Sequence, residues 1–382
     1  MYPLCRAFRD MDLPQIDDYQ HLFISDTPLL DVRAPVEFQQ GAFPQAKNFP
    51  LINDDERQAI GIRYKQQGQT EAIELGHSLV KGEIKTARIA NWVAFTERHP
   101  QGALYCFRGG MRSKISQRWI FEHTGVVYPR IKGGYKALRR YLLRELDIAP
   151  EQTRFMILSG RTGTGKTLLL DRIGQAVDLE DIFQHRGSAF GKHALPQPSQ
   201  IDIENKLSIA LLKHRHNGVN RLVLEDEAAY IGSRRLPDSM IQAMRQSPLI
   251  VLETSMDERV EIVFAEYITS ALAEYQALLG DSPGFDAWTA NLQNALQKIQ
   301  RRLGGQRHQV IKAMMDDAIL RHGNAGEAEH HKTWIRSLLM EYYDPMYDYQ
   351  LDKKSHRVQY RGEHAGVLEY LNQHWLSDQQ PS

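Results

Sequence analysis

Short apolar runs alternate with longer amphipathic stretches along most of this chain. The runs are too short for helices and rich in aliphatic residues, so each indicates a buried strand. Between them, apolar residues recur at helical spacing, and this alternation predicts α/β layers built around parallel sheets. After Asp257 the pattern is mostly helical. The strands are expected at residues 28–33, 102–105, 155–158, 221–224 and 249–253.

The pattern and its interruptions predict two α/β domains. The first is expected at residues 13–138, with a helical insertion at about 54–100, and a basic connector helix follows at 139–150. The second is expected at 151–376 and ends in a helical region. Glycines divide the insertion into segments. Its helices are expected at residues 57–67, 71–80 and 86–97, with breaks at Gly68 and Gly82.

Composition narrows the class of protein. The 382 residues include 42% hydrophobic and 25% charged residues, which is typical of a globular protein. The formal net charge is zero, so a nucleic-acid partner requires a local basic patch. Cys5 and Cys106, the only cysteines, exclude a disulfide framework and a cysteine zinc site and favour a reducing compartment. No apolar run approaches the roughly 18 residues of a membrane span, so we expect a cytoplasmic protein without a membrane partner.

The segment 160–167, called the phosphate loop below, fits the pattern G-x-x-x-x-G-K-[ST] at every position. In such loops, backbone N–H groups surround phosphate oxygens, the lysine adds a positive charge and the final hydroxyl can bind Mg²⁺. The motif predicts phosphate binding and leaves both the identity of the phosphate compound and hydrolysis open. The predicted phosphate contacts are Gly160, Thr162, Gly163, Gly165, Lys166 and Thr167, with Thr167 as a possible Mg²⁺ ligand.

Acidic residues end the strand expected at 221–224. Glu225 and Asp226 follow its last apolar residue. In phosphate-loop proteins, a carboxylate at this position holds the water shell of Mg²⁺ or acts as a base. We therefore predict that Glu225 and Asp226 take part in metal binding or acid–base chemistry. The alternative is that these acids merely terminate the strand.

Cys106 stands at the C-terminal tip of a predicted strand, in a Gly/Arg-rich loop that opens a helix. Loop amides, the helix N-terminus and the arginines favour a thiolate, and they can hold an anionic persulfide or perselenide on its sulfur. We predict that Cys106 is catalytic; a buried packing cysteine is the alternative. Together with the strand end at 31–33, this loop resembles the rhodanese (sulfurtransferase) domain. The predicted anion cradle consists of Arg108, Gly109, Gly110 and Arg112.

Basic residues and tyrosines are interleaved from residue 108 to residue 144, where ten lysines and arginines accompany one acid, Glu122. Such a stripe can hold an RNA backbone and stack bases. A solvated helix face explains it equally well. A second basic segment follows at 298–307. The predicted RNA contacts are Lys136, Arg139, Arg140, Arg301 and Arg302.

The order of these motifs is unusual, and the chain resembles the tRNA 2-selenouridine synthase family from about residue 28 to residue 362. The resemblance implies a rhodanese-like α/β domain with a helical insertion, followed by a P-loop NTPase-like parallel α/β domain with a helical C-terminal region. The strings that carry the resemblance are 106–113, 133–138, 160–167, 185–191, 225–227 and 342–347.

The same resemblance implies an enzyme that converts the wobble 2-thiouridine of tRNA to 2-selenouridine through S-geranyl-2-thiouridine. Its co-substrates would be geranyl diphosphate, held by the phosphate loop, and selenophosphate, supplied by a selenophosphate synthetase. Cys106 would carry a perselenide or act directly in the selenium step. No tightly bound organic cofactor is implied.

Two other functions fit the same motifs. In an ATP-dependent tRNA sulfurtransferase, the phosphate loop would serve to activate the base by phosphorylation, and Cys106 would deliver persulfide sulfur. In a regulatory nucleotide-binding switch with a vestigial rhodanese module, GTP or ATP would bind tightly and Cys106 would be dispensable. ATP turnover stimulated by tRNA would favour the sulfurtransferase.

Overall fold

The computed structural model describes residues 13–377. The described chain divides into two compact units. The first contains the residues up to Asp147 and the segment Ser199–His216, and the second contains Ile148–Pro198 and the residues from Asn217 onward. Within the described residues, no helix has the length and apolar character needed to span a membrane.

The elements are numbered in chain order. The strands are β1 (Gln15–Ile16), β2 (Leu29–Asp31), β3 (Ala46–Asn48), β4 (Ala103–Tyr105), β5 (Arg130–Ile131), β6 (Arg154–Ser159), β7 (Ala176–Val177), β8 (Arg221–Glu225), β9 (Tyr230–Ile231), β10 (Arg234–Arg235), β11 (Leu249–Leu252) and β12 (Val358–Gly362). The α-helices are α1 (Tyr19–Ile24), α2 (Pro35–Gln39), α3 (Asp54–Gln67), α4 (Gln69–Leu79), α5 (Gly82–Arg98), α6 (Met111–Thr124), α7 (Gly134–Gln152), α8 (Lys166–Leu170), α9 (Leu179–Phe183), α10 (Gln200–His216), α11 (Asp238–Gln246), α12 (Met256–Phe264), α13 (Ala271–Leu279), α14 (Asp281–Leu303), α15 (Gly305–Ala325), α16 (His331–Leu338), α17 (Asp344–Asp352) and α18 (His364–Leu371). Short π-helical segments are found at Ala265–Ser270, Leu339–Tyr343 and Asn372–Leu376, and 3-10 turns at Ala328–His330 and Ser355–Arg357.

The first unit is built on a parallel sheet with the strand order β1-β5-β4-β2-β3. Its strands β2 and β4 are buried on both faces, because successive side chains point to opposite sides of a strand. Leu29 of β2 packs in one cluster with Phe23 and residues of α7 and α10. Leu30 packs in the other cluster, which includes Trp92 of α5. The predicted α/β architecture with a parallel sheet is confirmed for this unit.

The helical insertion consists of α3, α4 and α5. Asn53 begins α3 through a capping box, in which its side chain and that of Glu56 each accept a hydrogen bond from the other residue's backbone N–H. Gly68 separates α3 from α4 with a φ of 89°, a left-handed conformation that glycine adopts without a Cβ clash. Gly82 is the first residue of α5. Each helix begins a few residues earlier than the sequence pattern predicts.

Helix α7 begins at Gly134 and includes the connector expected at 139–150. Gly133 and Gly134 both have positive φ, so the chain turns sharply into the helix. Helix α10, which the sequence pattern places in the second domain, belongs to the first unit. There Ser208 Oγ donates a hydrogen bond to the carbonyl oxygen of Leu142 in α7 at 2.7 Å. Helix α10 therefore packs against a segment that is distant from it along the chain.

The second unit is also built on a parallel sheet, with the order β12-β11-β6-β8-β7. The apolar positions of β6, β8 and β11 are buried, as expected from the sequence. The edge strand β12 lies in a region where the sequence pattern predicts mostly helix. Its side chains alternate between half-buried and exposed, which is too weak an apolar signal to indicate a strand. Its pairing with β11, from Leu249 with Val358 to Leu252 with Gly362, defines it as part of the sheet.

The helices from α12 to α16 share a buried core that includes Trp288 and Trp334. His331 is fully buried within this region. Trp334 Nε1 donates to His331 Nδ1 at 2.9 Å, and His331 Nε2 lies 3.3 Å from His322 Nδ1. Burial, followed by repulsion from His322, lowers the pKa of His331 to about 3. The second unit therefore holds a histidine that is neutral at physiological pH.

We expect acid to destabilise the second unit through His331. Histidine in the unfolded chain has a pKa near 6.5, so the burial of neutral His331 costs nothing above that pH. As the pH falls from 6.5 toward 3, His331 binds a proton in the unfolded state but not in the folded state, so the free energy of unfolding decreases. Between pH 7 and pH 5 the loss in free energy of unfolding is about 2 kcal/mol.

Urea unfolding of the parent and of His331→Gln at the two pH values, followed by tryptophan fluorescence, measures this loss as the difference between their pH dependences, since the other titrating groups are common to both. His331→Gln keeps an acceptor for Trp334 and removes the titrating ring, so it should reduce the pH dependence. His356 is exposed and provides the matched control, because His356→Gln should leave the pH dependence unchanged. An equal pH dependence in both variants would contradict the prediction.

Candidate active site

The phosphate loop connects β6 to α8, which begins at Lys166. Gly163 and Gly165 have φ of 79° and 76°. A Cβ on Gly163 would lie 2.9 Å from the carbonyl oxygen of Arg259, so both the backbone conformation and the available space require glycine there. Lys166 Nζ donates across the loop to the carbonyl oxygen of Gly160 at 3.0 Å. The curled loop expected from the motif is present, with its strand before it and its helix after it.

Two arginines brace this loop through helix α17. Arg259, which is 2% exposed, donates from Nε to the carbonyl oxygen of Thr162 at 3.0 Å. Its other two nitrogens donate to the Asp344 carboxylate at 2.6 and 3.0 Å. Arg161 donates to both carboxylate oxygens of Asp348 at 2.7 and 2.8 Å. Bidentate pairs of this kind set orientation as well as distance, so α17 positions the loop.

Glu225 ends β8 and lies beside the last residue of the phosphate loop. The hydroxyl of Thr167 donates to Glu225 at 3.4 Å and to Glu180 at 3.5 Å. Glu225 Oε2 also accepts hydrogen bonds from the backbone N–H groups of Leu179 and Glu180, at 3.1 and 3.0 Å. Sequence reasoning missed Glu180, because a glutamate in a five-residue helix carries no motif.

Asp226, the other acid named from the sequence, has different partners. Lys354 Nζ donates to it at 2.7 Å, and Ser159 Oγ donates at 2.5 Å. Tyr347 OH lies 3.1 Å from the same Ser159 hydroxyl. Asp226 is therefore held in an ion pair with Lys354, while Glu225 adjoins Thr167.

Carboxyl groups crowd together next to the loop. Burial, followed by repulsion from one another, raises the pKa of Glu180 and Glu225 to about 8 and that of Glu227 to about 7. Gly187, in the string 185–191, allows the carboxyl groups of Glu180 and Glu227 to lie close to the backbone. A Cβ on this glycine would lie 2.3 Å from Glu180 Oε1 and 2.8 Å from Glu227 Oε1. The cluster binds protons at neutral pH and favours a cation nearby.

The residues beside Thr167 fit a magnesium ion that takes most of its ligands from substrate and water. No group of three or more His, Cys, Asp or Glu side chains within the described part of the chain is arranged to hold a metal ion by itself. In phosphate sites, Mg²⁺ keeps several waters and uses one or two carboxylates, and phosphate oxygens complete its octahedron. The Thr167 hydroxyl next to the buried Glu225 carboxylate provides such a partial set.

A cavity of about 880 Å³, called the phosphate-loop cavity below, adjoins the loop. Gly160 and residues 162–167 form one part of its wall. Of the two arginines predicted in the second basic segment, Arg302 lines this cavity, and Arg301 is exposed. Another part of the wall is apolar and aromatic, and it includes Tyr267, Ile299, Tyr342, Tyr343 and Met346.

Cys106 follows β4 and is 3% exposed. Its sulfur donates to Ser113 Oγ at 3.2 Å, and that hydroxyl donates to the carbonyl oxygen of Gly110 at 3.0 Å. The thiol packs in the apolar cluster that contains Trp92. This burial agrees with the alternative prediction that Cys106 is a packing residue. A reaction at its sulfur therefore requires the surrounding loop to open. Cys5 lies outside the described residues.

The predicted anion cradle contains one arginine that already has a partner. Arg112 donates to both carboxylate oxygens of Glu37, one of them at 3.0 Å. Burial lowers the pKa of Arg112, but Glu37 and, to a smaller extent, the Cys106 sulfur raise it overall. Arg112 therefore lies near the sulfur with its charge balanced. Arg108 is exposed, and its guanidinium lies 5.9 Å from the centre of the Phe107 ring.

Helix α7 begins against the same cysteine loop. The backbone N–H of Tyr135 donates to the carbonyl oxygen of Cys106 at 2.9 Å, and that of Lys136 donates to Phe107 at 3.0 Å. A Cβ on Gly134 would lie 2.2 Å from the Cys106 carbonyl oxygen, and the φ of this glycine is 58°. The string 133–138 is thus a packing partner of the cysteine loop.

Gly134→Ala is expected to destabilise the first unit by about 3 kcal/mol, because it adds a left-handed strain to a direct clash with the backbone. Thermal and urea unfolding measure the effect. Gly61→Ala is the matched control: nothing lies within 4 Å of the added Cβ, and alanine favours the helix α3 that contains it. If both variants unfold at the same midpoint, this reading of the contact between α7 and the loop is wrong.

The predicted RNA contacts on α7 differ in exposure. Lys136 and Arg140 are exposed and lie four residues apart, so they share one face of the helix. Arg139 points elsewhere: it forms an ion pair with Glu204 and donates to Asn205 Oδ1 at 2.9 Å. Its charge is balanced within the first unit, whereas Lys136 and Arg140 form no ion pair with any residue from 13 to 377.

The fold and the loop define a phosphate-loop α/β protein with a second parallel-sheet unit. A family model described as the tRNA 2-selenouridine synthase AAA domain matches residues 153–378. Similar proteins described as tRNA 2-selenouridine synthase include that of Bordetella bronchiseptica (49% identical, covering 93% of this chain and 96% of that protein) and that of Marinobacter nauticus (49%, 94% and 97%). That of Hahella chejuensis is 50% identical and covers 93% of both chains. The chain belongs to the tRNA 2-selenouridine synthase family, which confirms the resemblance found in its sequence.

Proposed function

We propose that this protein converts 2-thiouridine at the wobble position of tRNA to 2-selenouridine, through S-geranyl-2-thiouridine. The names of its relatives support an enzyme that forms selenouridine in tRNA. Geranyl diphosphate is assigned to the phosphate-loop cavity and selenophosphate to the loop that follows Cys106. The first unit is assigned as rhodanese-like, a role supported by a cysteine loop at the end of a strand in a parallel sheet.

The observation that carries this proposal is that one part of the wall of the phosphate-loop cavity suits a diphosphate and another part is apolar. Lys166 and the loop backbone offer positive charge and N–H groups to a diphosphate. Tyr267, Tyr343 and Met346 offer apolar surface in the same cavity. Geranyl diphosphate has the same division between an anionic head and a hydrocarbon tail. Each methylene of the tail that is buried contributes about 0.8 kcal/mol to binding.

In the first reaction, the thiocarbonyl sulfur of the base attacks C1 of the geranyl group. A C–S bond forms, the C–O bond to diphosphate breaks, diphosphate leaves with the bonding electrons, and the base releases its N3 proton. Lys166 and the loop N–H groups stabilise the charge that develops on the leaving oxygen. Mg²⁺ bound at Thr167 and the phosphates would supply additional charge neutralisation there.

In the second reaction, selenium replaces the alkylated sulfur. A selenium nucleophile derived from selenophosphate adds to C2 of the base, the C2–S bond breaks, and geranylthiol leaves after protonation, while water takes the phosphoryl group. Alkylation precedes this step because a thiolate leaves far more readily than a doubly charged sulfide. We assign Cys106 to this selenium step. Arg108, in the loop that follows Cys106, is exposed and carries a positive charge.

Mass spectrometry of nucleosides from treated tRNA tests the proposal. Protein, 2-thiouridine-containing tRNA and geranyl diphosphate should yield S-geranyl-2-thiouridine, and addition of selenophosphate should yield 2-selenouridine. Leaving out ATP and GTP should change neither yield. The geranyl step is refuted if no geranylated nucleoside forms and tRNA instead stimulates ATP turnover, which is the behaviour expected of an ATP-dependent sulfurtransferase.

A further inference from the structure

We infer that the mouth of the phosphate-loop cavity receives an unstacked nucleotide of the RNA substrate, with Tyr230 as the stacking surface for its base and Lys298 and Arg302 as contacts for backbone phosphates. The mouth is defined as the exposed residues among those that line the cavity. This inference rests on the proposed function, because it locates the place where the RNA of that reaction enters.

The charges at the mouth have one sign. Its cations are Lys192, Lys298 and Arg302, and within residues 13–377 none of the three is in an ion pair. The mouth is therefore positive although the formal net charge of the whole chain is zero, and such a patch favours a polyanion. The acids that line the cavity are all partly buried: Glu180, Asp226, Glu227 and Glu266.

The hairpin of β9 and β10 presents Tyr230 at this mouth. Tyr230 is 61% exposed, whereas the next residue, Ile231, is 1% exposed and anchors the hairpin. Gly232 turns the chain with a φ of 61°. Ser233 then donates to Gln197 Oε1 from its backbone N at 2.8 Å and from its hydroxyl at 3.0 Å. Because these contacts hold the hairpin in place, the ring of Tyr230 loses little conformational freedom when a ligand stacks on it.

An exposed aromatic ring among cations that have no ion-pair partner in the described part of the chain suits single-stranded nucleic acid better than other polyanions. Bases stack on the ring, and the cations follow the backbone. A base in an RNA loop must leave its neighbours before its sulfur can reach a pocket, so a stacking surface at the entrance compensates for the lost contacts. The cavity volume of about 880 Å³ lies in the upper part of the range of about 300–1,000 Å³ for ligand pockets, and it leaves room for a base beside a diphosphate substrate.

Fluorescence anisotropy with the full-length protein and a labelled anticodon stem–loop RNA that carries wobble 2-thiouridine tests the inference. Tyr230→Ala should weaken binding about tenfold, the loss expected for one base–aromatic stack, and Tyr230→Trp should retain affinity. Tyr349 is 64% exposed and does not line the cavity, so Tyr349→Ala is the matched control and should bind as the parent does. Lys298→Ala should lower the slope of log affinity against log salt by about 0.7.

Two outcomes separate this inference from the proposed function. If the parent protein geranylates tRNA and Tyr230→Ala binds the RNA as tightly as Tyr349→Ala does, the inference is overturned and the proposed function stands. If the parent forms no geranylated nucleoside but Tyr230→Ala still weakens RNA binding, the RNA site stands and the proposed reaction is rejected.

Discussion

Replacing Cys106 with alanine is expected to abolish 2-selenouridine formation and to leave S-geranyl-2-thiouridine formation at the parent rate. In the proposed function, the selenium step needs the sulfur at position 106, whereas geranyl transfer needs the phosphate-loop cavity of the second unit. The alkylated nucleoside should therefore accumulate when both co-substrates are supplied. Nucleoside mass spectrometry over a time course measures both products in one sample.

Two further variants separate sulfur chemistry from packing, because Cys106 is buried. Cys106→Ser keeps nearly the same volume and a hydrogen bond to Ser113, so it should fold and lose the selenium step as completely as alanine does. Ser113→Ala removes the hydrogen bond and keeps the thiol, so it should retain selenium incorporation. Selenium transfer by Cys106→Ser would mean that the sulfur only fills space. Loss of both products in folded Cys106→Ala would reject the assignment of the two steps to different sites.

Replacing Lys166 with alanine is expected to slow geranyl transfer by about 100-fold to 1,000-fold and to weaken the binding of geranyl diphosphate. The ammonium group acts on the charge of the leaving diphosphate, and removal of one such preorganised group typically costs this much in rate. Its hydrogen bond to Gly160 O shows that the side chain lies across the loop rather than away from it. Single-turnover rates and calorimetric affinities for the diphosphate measure the two effects.

Arg172 provides the charge-matched control for this variant. It lies just beyond α8, is exposed, and carries the same charge close to the loop. If the effect is local, Arg172→Ala should change rate and affinity by less than about twofold, since exposed charges are strongly screened by salt. Geranyl transfer that persists in Lys166→Ala with unchanged affinity for the diphosphate would show that the loop serves another ligand.

The sequence pattern predicted those parts of the fold that carry strong local signals. Buried parallel strands are continuous apolar runs, so β6, β8 and β11 were recognisable without any partner. The phosphate loop was equally recognisable, since its backbone needs glycine at fixed positions such as Gly163. Strand β12 escaped prediction because an edge strand with one half-exposed face has little apolar signal.

The contacts around the candidate sites escaped prediction for a different reason. Arg161 pairs with Asp348, and Arg112 pairs with Glu37, across stretches of chain that no local pattern connects. Arginines that follow a motif look alike in sequence whether their charge is free or balanced. Only the folded chain distinguishes Arg139, which pairs with Glu204, from the exposed Arg140 next to it.

The amino-acid sequence by itself determined the two α/β domains, the phosphate loop, the position of Cys106 at a strand end and the family to which the chain belongs. Each of these depends on neighbouring residues, through apolar periodicity, glycine conformation or motif spacing. The tertiary structure decided that Glu225 rather than Asp226 adjoins Thr167, that Cys106 is buried, and which cations at the cavity mouth form no ion pair with the residues that the structure describes. Burial and charge pairing are set by side chains that are brought together from distant parts of the chain, so the order of residues alone does not reveal them.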